Sequence, residues 1–223
     1  MPQEKDKTIT HPHLIVCEGL DAKLFLIYYL QPLIKYDSRF EEFEVIEPGG
    51  NDDIKAFFKL LPGLPEFREI VKSVTVIRDS EKNAQGASQS AQTLFRNNGF
   101  AVPSKPCEVA LPNGSNHPVK VGYALFPQFD SEVTNGTLED LCLNTLAHPE
   151  KDSIISIVDH AIESSRAYIG GLRRLHKNRL HTFLSLTDSF VGKLIGQCAQ
   201  ANAFDFSAAD FEPLKALLSE ILA

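Results

Sequence analysis

The chain has 223 residues, 43% hydrophobic and 23% charged, the profile of a soluble globular protein with one large domain or a compact domain bearing a helical appendage. No apolar run reaches the roughly 18 residues that a membrane span needs, and the polar, mixed-charge start Met1–Thr10 lacks the layout of a signal peptide. A formal net charge of −7 excludes a general polyanion binder, so a nucleic-acid role requires a local basic patch or bound cations.

In chain order, Leu14–Cys17 is a short apolar run that stops at Glu18-Gly19 and predicts a strand. Asp21 then suits the start of a helix to about Lys35, apolar nearly all round and therefore covered by other elements. Phe43–Ile46 predicts a second strand, closed by Pro48-Gly49-Gly50. Asn51 is placed to cap a helix, with Asp52 and Asp53 in its first turn and Ile54, Phe57, Phe58 and Leu61 as its apolar stripe. Val74–Ile77, β-branched throughout, predicts a third strand, and Ala84–Asn98 a helix stopped by Gly99.

Strand and helix signals in alternation indicate βαβ units on a parallel sheet. Cys107–Leu111 and Val119–Phe126 flank Pro-Asn-Gly-Ser-Asn, which suits an inserted β-hairpin. Beyond Gly136 the pattern is helical: about Leu138–Ala147, Ser153–Ile169, Lys177–Leu186, Val191–Ala201 and Phe211–Leu222. The expected layout is an α/β core over residues 11–147 and a helical extension over 148–223 packed on it as a single unit.

Cys17, Cys107, Cys142 and Cys198 are far apart and form no C-x-x-C pair, which argues against a zinc site and a disulfide framework. Each sits among apolar neighbours and reads as a small buried hydrophobe; a reducing cytoplasm is the expected location. Gly192-Lys193 lacks the glycine loop of a P-loop, and neither Gly-x-Ser-x-Gly nor H-E-x-x-H occurs.

Ligands in open α/β sheets bind beyond the carboxyl ends of the strands, and here those ends are acidic. The first offers Glu18 with Asp21 close behind, the third Asp79 and Glu81, and a later loop Glu139 and Asp140. Carboxylates converging from separate segments suit Mg²⁺ or Mn²⁺, hard cations that favour oxygen ligands. Each acid also has a plainer reading. Asp21 and Asp79 fit helix caps, Thr137 to Asp140 fits a capping box, and Asp52 and Asp53 fit first-turn charges. A carboxylate directly after four apolar strand residues, as at Glu18, is the hardest to dismiss.

From Ser164 to Thr187 there is no carboxylate, yet Arg166, Arg173, Arg174, Lys177 and Arg179 all occur. The stretch reads either as a phosphate-backbone contact, with Arg173, Arg174 and Arg179 as its cations, or as a solvated face pairing with surface acids.

The run Leu-Ile-Val-Cys-Glu18-Gly19-Leu-Asp21 resembles the opening motif of the TOPRIM superfamily, a strand ending in a Glu-Gly turn before a helix. Val-Thr-Val-Ile-Arg-Asp79-Ser-Glu81 resembles its Asp-x-Asp motif, and Gly136-Thr-Leu-Glu139-Asp140 resembles an acidic motif of small TOPRIM proteins and of OLD-type nucleases. The resemblance covers roughly residues 13–145, and the tail from His176 is similar to the end of a small uncharacterised TOPRIM group. The departure is Glu81, a methylene longer than the family's Asp.

The resemblance implies a Rossmann-like core with Glu18, Asp79, Glu81 and Glu139 as Mg²⁺ or Mn²⁺ ligands. It also implies phosphodiester hydrolysis on nucleic acid, DNA ahead of RNA, with Glu18 and Lys177 catalytic. OLD-type enzymes carry an ATPase module that this sequence lacks, which implies an ATPase partner protein or a homo-oligomer. The competing expectation is a non-catalytic module that binds metal or nucleic acid for such a partner. A third, an aspartyl-phosphate mechanism, would rest on Asp79 alone.

Overall fold

The apolar runs become five strands of one sheet: β1 (His13–Cys17), β2 (Phe43–Ile46), β3 (Ser73–Asp79), β4 (Val109–Ala110) and β5 (Lys120–Phe126). The structure is a computed structural model that describes residues 9–129 and 133–223, so all but Ile9 and Thr10 of the polar start lies outside the described residues. Strand order is β2-β1-β3-β5-β4. The first four are parallel, and β4 pairs antiparallel to β5 through Val109 with Gly122 and Ala110 with Val121. The fold is α/β with a mainly parallel sheet.

Nine helices connect or cover these strands among the described residues: α1 (Leu20–Tyr36), α2 (Asn51–Leu60), α3 (Pro65–Glu69), α4 (Ala84–Asn97), α5 (Leu138–Asn144), α6 (Lys151–Ile169), α7 (Leu175–Ser185), α8 (Ile195–Gln200) and α9 (Glu212–Leu222). Three details depart from the sequence reading. The cap of α2 is Gly50, one residue early, and Asp53 accepts its N–H at 2.9 Å. The last helix but one begins at Ile195 rather than Val191, because Gly192 takes a positive φ of 74° that interrupts the helix. The short α3, started by Pro65, is too brief to write an apolar stripe.

Because β1, β3 and β5 are covered on both faces, they are buried almost throughout. Alternate residues feed two cores. Leu14, Val16, Val74, Val76 and Val121 face α2, α3 and α4, where Phe58, Phe67 and Phe95 fill the space. Ile15, Cys17, Ile77, Ala124 and Phe126 face α1 and α5–α9, meeting Phe25, Leu141, Phe183 and Leu214. Residues of 11–147 and of 148–223 therefore share one apolar layer, in which each fully buried Leu or Phe contributes about 1.5–3 kcal/mol.

Two contacts fix the C-terminal helices. Tyr29 of α1 stacks on Phe211 at 5.0 Å. The α1–α8 approach is so close that a Cβ on Gly196 would lie 2.3 Å from Leu24 Cβ, which only glycine avoids. The parallel strands all end on the same edge of the sheet, and α1 and α5 both start there.

Candidate active site

β1 runs out of core at Cys17, and Glu18-Gly19 turns the chain into α1. Glu18 is half-buried and accepts no hydrogen bond among the described residues. Asp21, in the first turn of α1, reaches the Gly196 N–H of α8 at 3.4 Å, so it ties two helices together.

β3 ends at Asp79, whose Oδ1 accepts the Leu138 N–H at the start of α5, 2.8 Å away. The next residues are bound to the α5 approach. Ser80 Oγ donates to the Phe126 and Thr134 carbonyls at 2.7 and 2.5 Å. Glu81 and Gly136 exchange N–H···O bonds of 2.8 Å each. Glu81 holds a left-handed φ of 54°, a conformation that costs a non-glycine residue on the order of 1–2 kcal/mol. Gly136 has φ 145°, and a Cβ there would lie 2.8 Å from Pro127 Cγ and 2.9 Å from Asp140 Oδ2. This bridge locks the second acidic segment to the third.

The plainer reading holds for part of the third segment: Asp140 Oδ2 accepts the Thr137 N–H at 2.9 Å, as a capping residue does. Its neighbour does something else. Glu139, only 4% exposed, takes an ion pair of 2.9 Å from Lys177 of α7.

The electrostatics connect all four acids. Burial pushes the Asp79 carboxyl up to about 7; the Leu138 N–H opposes this, while the charges of Glu139, Glu81 and Glu18 add to it. Burial also works to raise Glu139, but the Lys177 hydrogen bond leads the terms that hold it below the usual carboxylate range. Lys177 in turn is raised, chiefly by its hydrogen bond to Glu139. The three acidic segments thus meet around Asp79, with Lys177 as the cation among them.

Among the described residues, no group of three or more His, Cys, Asp or Glu side chains stands close enough to form a ready-made metal cluster. The expectation of a hard divalent cation rests on the carboxylates that surround the buried Asp79. Glu18, Asp79, Glu81 and Glu139 are the residues that would hold it.

The basic stretch divides. Arg179 is engaged, donating to Asp159 of α6 from Nε and Nη2 at 2.7 and 2.9 Å, and Arg166 pairs with Glu163. Arg173 and Arg174 lie exposed in the corner between α6 and α7 and form no ion pair among the described residues. Arg174 is near enough to act electrostatically on Lys177. Cys17, Cys142 and Cys198 are buried free thiols, and burial pushes Cys17 up to about 12.

The sequence pattern gave no role to Ser80, which places the acids without being acidic, or to Arg78, a charge that directly follows the β-branched run Val74–Ile77. That charge was the available signal.

These features define an α/β protein with an acidic, lysine-bearing edge at the carboxyl ends of its parallel strands. The chain belongs to the family described as Protein of unknown function (DUF3226), whose model matches residues 12–223. A comparison with curated proteins finds no match. Among solved structures the chain is similar to the C-terminal region of the Xanthomonas campestris pv. campestris OLD protein, at 16% identity over 96% of this chain and 97% of that one, with a TM-score of 0.45.

Proposed function

We propose that the chain is a TOPRIM-type, divalent-metal-dependent phosphodiesterase acting on nucleic acid, a nuclease of the OLD type. The observation that carries this reading is the convergence of three acidic segments on Asp79, whose carboxyl is pushed up to about 7 by burial and by neighbouring carboxylates. Such crowding is costly without a cation and useful with one.

Glu18, Asp79, Glu81 and Glu139 would hold Mg²⁺ or Mn²⁺, which would supply the Lewis-acid charge for phosphodiester hydrolysis. Glu18, with no hydrogen-bond donor of its own, is the carboxylate free to orient an attacking water. Lys177, 45% exposed at its side chain, faces both the Glu139 carboxylate and solvent. It positions Glu139 and offers its ammonium to charge developing on phosphate. Arg173 and Arg174 supply backbone contacts to the strand, DNA in the first instance. Arg179 enters that role only by leaving Asp159.

A second reading has two observations in its favour. The acids are not gathered into a triad, and Glu81 stands in a left-handed turn where the resembled motif has Asp. On that reading the edge binds metal or nucleic acid without cutting and serves a partner such as an ATPase, or a second copy of the chain.

The test is calorimetric titration of Mg²⁺ and Mn²⁺ into wild type and Glu18→Ala, with plasmid and single-stranded DNA cleavage followed on the same samples. Metal binding and metal-dependent nicking, both lost in Glu18→Ala, are the expected result. Binding without cleavage transfers the conclusion to the second reading. No binding at millimolar metal, with DNA present, sinks both.

A further inference from the structure

β3 presents opposite charges on its two faces at the carboxyl end. Asp79 follows Ile77 toward α5, whereas Arg78 follows Val74 and Val76 toward α2 and α4. The Arg78 guanidinium is partly buried and poorly satisfied. Its Nη1 donates to Asn51 Oδ1 and Ser90 Oγ, both at 3.3 Å, which is long for a charged donor. Its Nε is shielded from solvent and has no acceptor. Arg39, Arg166 and Arg179 each have a carboxylate partner, but none pairs with Arg78 among the described residues. A cation that has lost hydration and gained only two neutral acceptors lacks an anion.

The surroundings have room for one. A cleft of about 360 Å³ leads from Arg78 between α2 and α4, and another of about 500 Å³ opens from the same place toward Asp79 and Glu81. Asn51, Arg78, Gly86 and Ser90 line both. The first contains no acidic side chain, although the sequence has 29 acids, and its rim carries Lys55, which is paired with Asp52 at 2.8 Å. Apart from Gly86 and Leu94, its remaining side chains are neutral amides and hydroxyls, Gln89, Ser90, Thr93, Asn97 and Asn98, which can donate to phosphate oxygens.

We propose that the cleft between α2 and α4 is a phosphate subsite anchored by Arg78. It holds a neighbouring phosphate of the strand whose scissile bond lies at the carboxylate edge. The inference rests on the nucleic-acid reading above and adds to it a path, from the acids across the end of β3 to the opposite face of the sheet. Ser90 and Asn51 hold Nη1, and Nη2, with no acceptor among the described residues, is left to meet a phosphate oxygen.

The experiment follows the Arg78 Nε–Hε resonance by NMR. Wild type is titrated with inorganic phosphate, then with a short 5′-phosphorylated single-stranded DNA in the absence of divalent metal. Both ligands are expected to move the resonance. Arg78→Gln should weaken DNA binding about tenfold, the scale of one charge-assisted hydrogen bond, and reduce the log–log salt slope by about 0.7. Thr93→Glu, at an exposed position of α4 on the cleft wall, puts a negative charge there without touching the strand and should weaken binding similarly. It keeps the test valid should Arg78→Gln fail to fold, which thermal unfolding checks.

An unmoved resonance, or DNA affinity unchanged in the folded variants, overturns the subsite. So does a response to inorganic phosphate that the DNA neither reproduces nor displaces, which assigns the cleft to a free anion. The two proposals fail separately. Metal-dependent cleavage that survives Arg78→Gln with unchanged DNA affinity removes the subsite and leaves hydrolysis standing. An Arg78 response to DNA with no cleavage at any metal concentration removes hydrolysis and leaves the subsite.

Discussion

The end of β3 and the first turn of α5 face each other at the same edge of the sheet, and each withdraws one carboxylate from water. Asp79 receives a single backbone N–H and the repulsion of three acids, and its carboxyl rises to about 7. Glu139, the more deeply buried of the two, receives the Lys177 ammonium and stays below the ordinary range. Burial alone would raise both. The lesson is that the partner, not the depth, decides which acid at this edge keeps its charge. Glu139 is a charge already compensated; Asp79 is a charge awaiting compensation.

The widest test of that contrast is Asp79→Asn, which removes the charge while keeping an acceptor for the Leu138 N–H. The folded value of about 7 lies above the ordinary carboxyl value of 3.8, so the folded state holds the proton more tightly. The associated stability is fully present below about pH 4 and is lost as pH rises through about 7. Asparagine should therefore be the more stable by about 2–4 kcal/mol at pH 8. Little difference should remain near pH 4. Urea unfolding at the two pH values measures it, and an equal difference at both would break the contrast.

Lys177→Met attacks the other side and should have the next largest effect. It strands Glu139 as a buried charge, costing about 2 kcal/mol at pH 7, less than a fully buried pair because the lysine side chain is 45% exposed. Here the sign is reversed. Glu139 is depressed, so the pair's stability is present above about pH 4.5 and is lost as pH falls through the lowered folded value. The cost of the substitution should then shrink as pH falls through that lowered value. A cost independent of pH would mean that Lys177 acts through packing rather than charge.

The smallest expected effect belongs to Gly136→Ala. Its positive φ and the close approach of Pro127 and Asp140 make a side chain strained, at about 1–2 kcal/mol. Loosening the Glu81–Gly136 bridge also frees Glu81 from Asp79, so the Asp79 midpoint, read by carboxyl-carbon NMR, should fall. An unchanged midpoint would assign the raised value to burial and the remaining acids.

Much of this architecture was legible in residue order. The runs at Leu14–Cys17, Phe43–Ile46 and Val74–Ile77 predict strands, and the helix-length segments between them predict the parallel sheet, because alternating βα patterns have few other ways to bury their apolar faces. Acid placed directly after those runs points to the sheet edge, since a strand's end is set by where its hydrophobicity stops. The site's organisation was less accessible. Whether Glu139 pairs with Lys177, 38 residues onward by their numbering, depends on how α7 lies across α5. Whether Arg179 meets a phosphate or Asp159 depends on how α6 and α7 pack.

Local pattern determines elements because periodicity and capping act within a turn or two. The charge state of Asp79, the bridge from Glu81 to Gly136 and the unsatisfied guanidinium of Arg78 were decided only by tertiary structure. They arise from burial and from Coulombic contacts between segments that the chain itself keeps far apart.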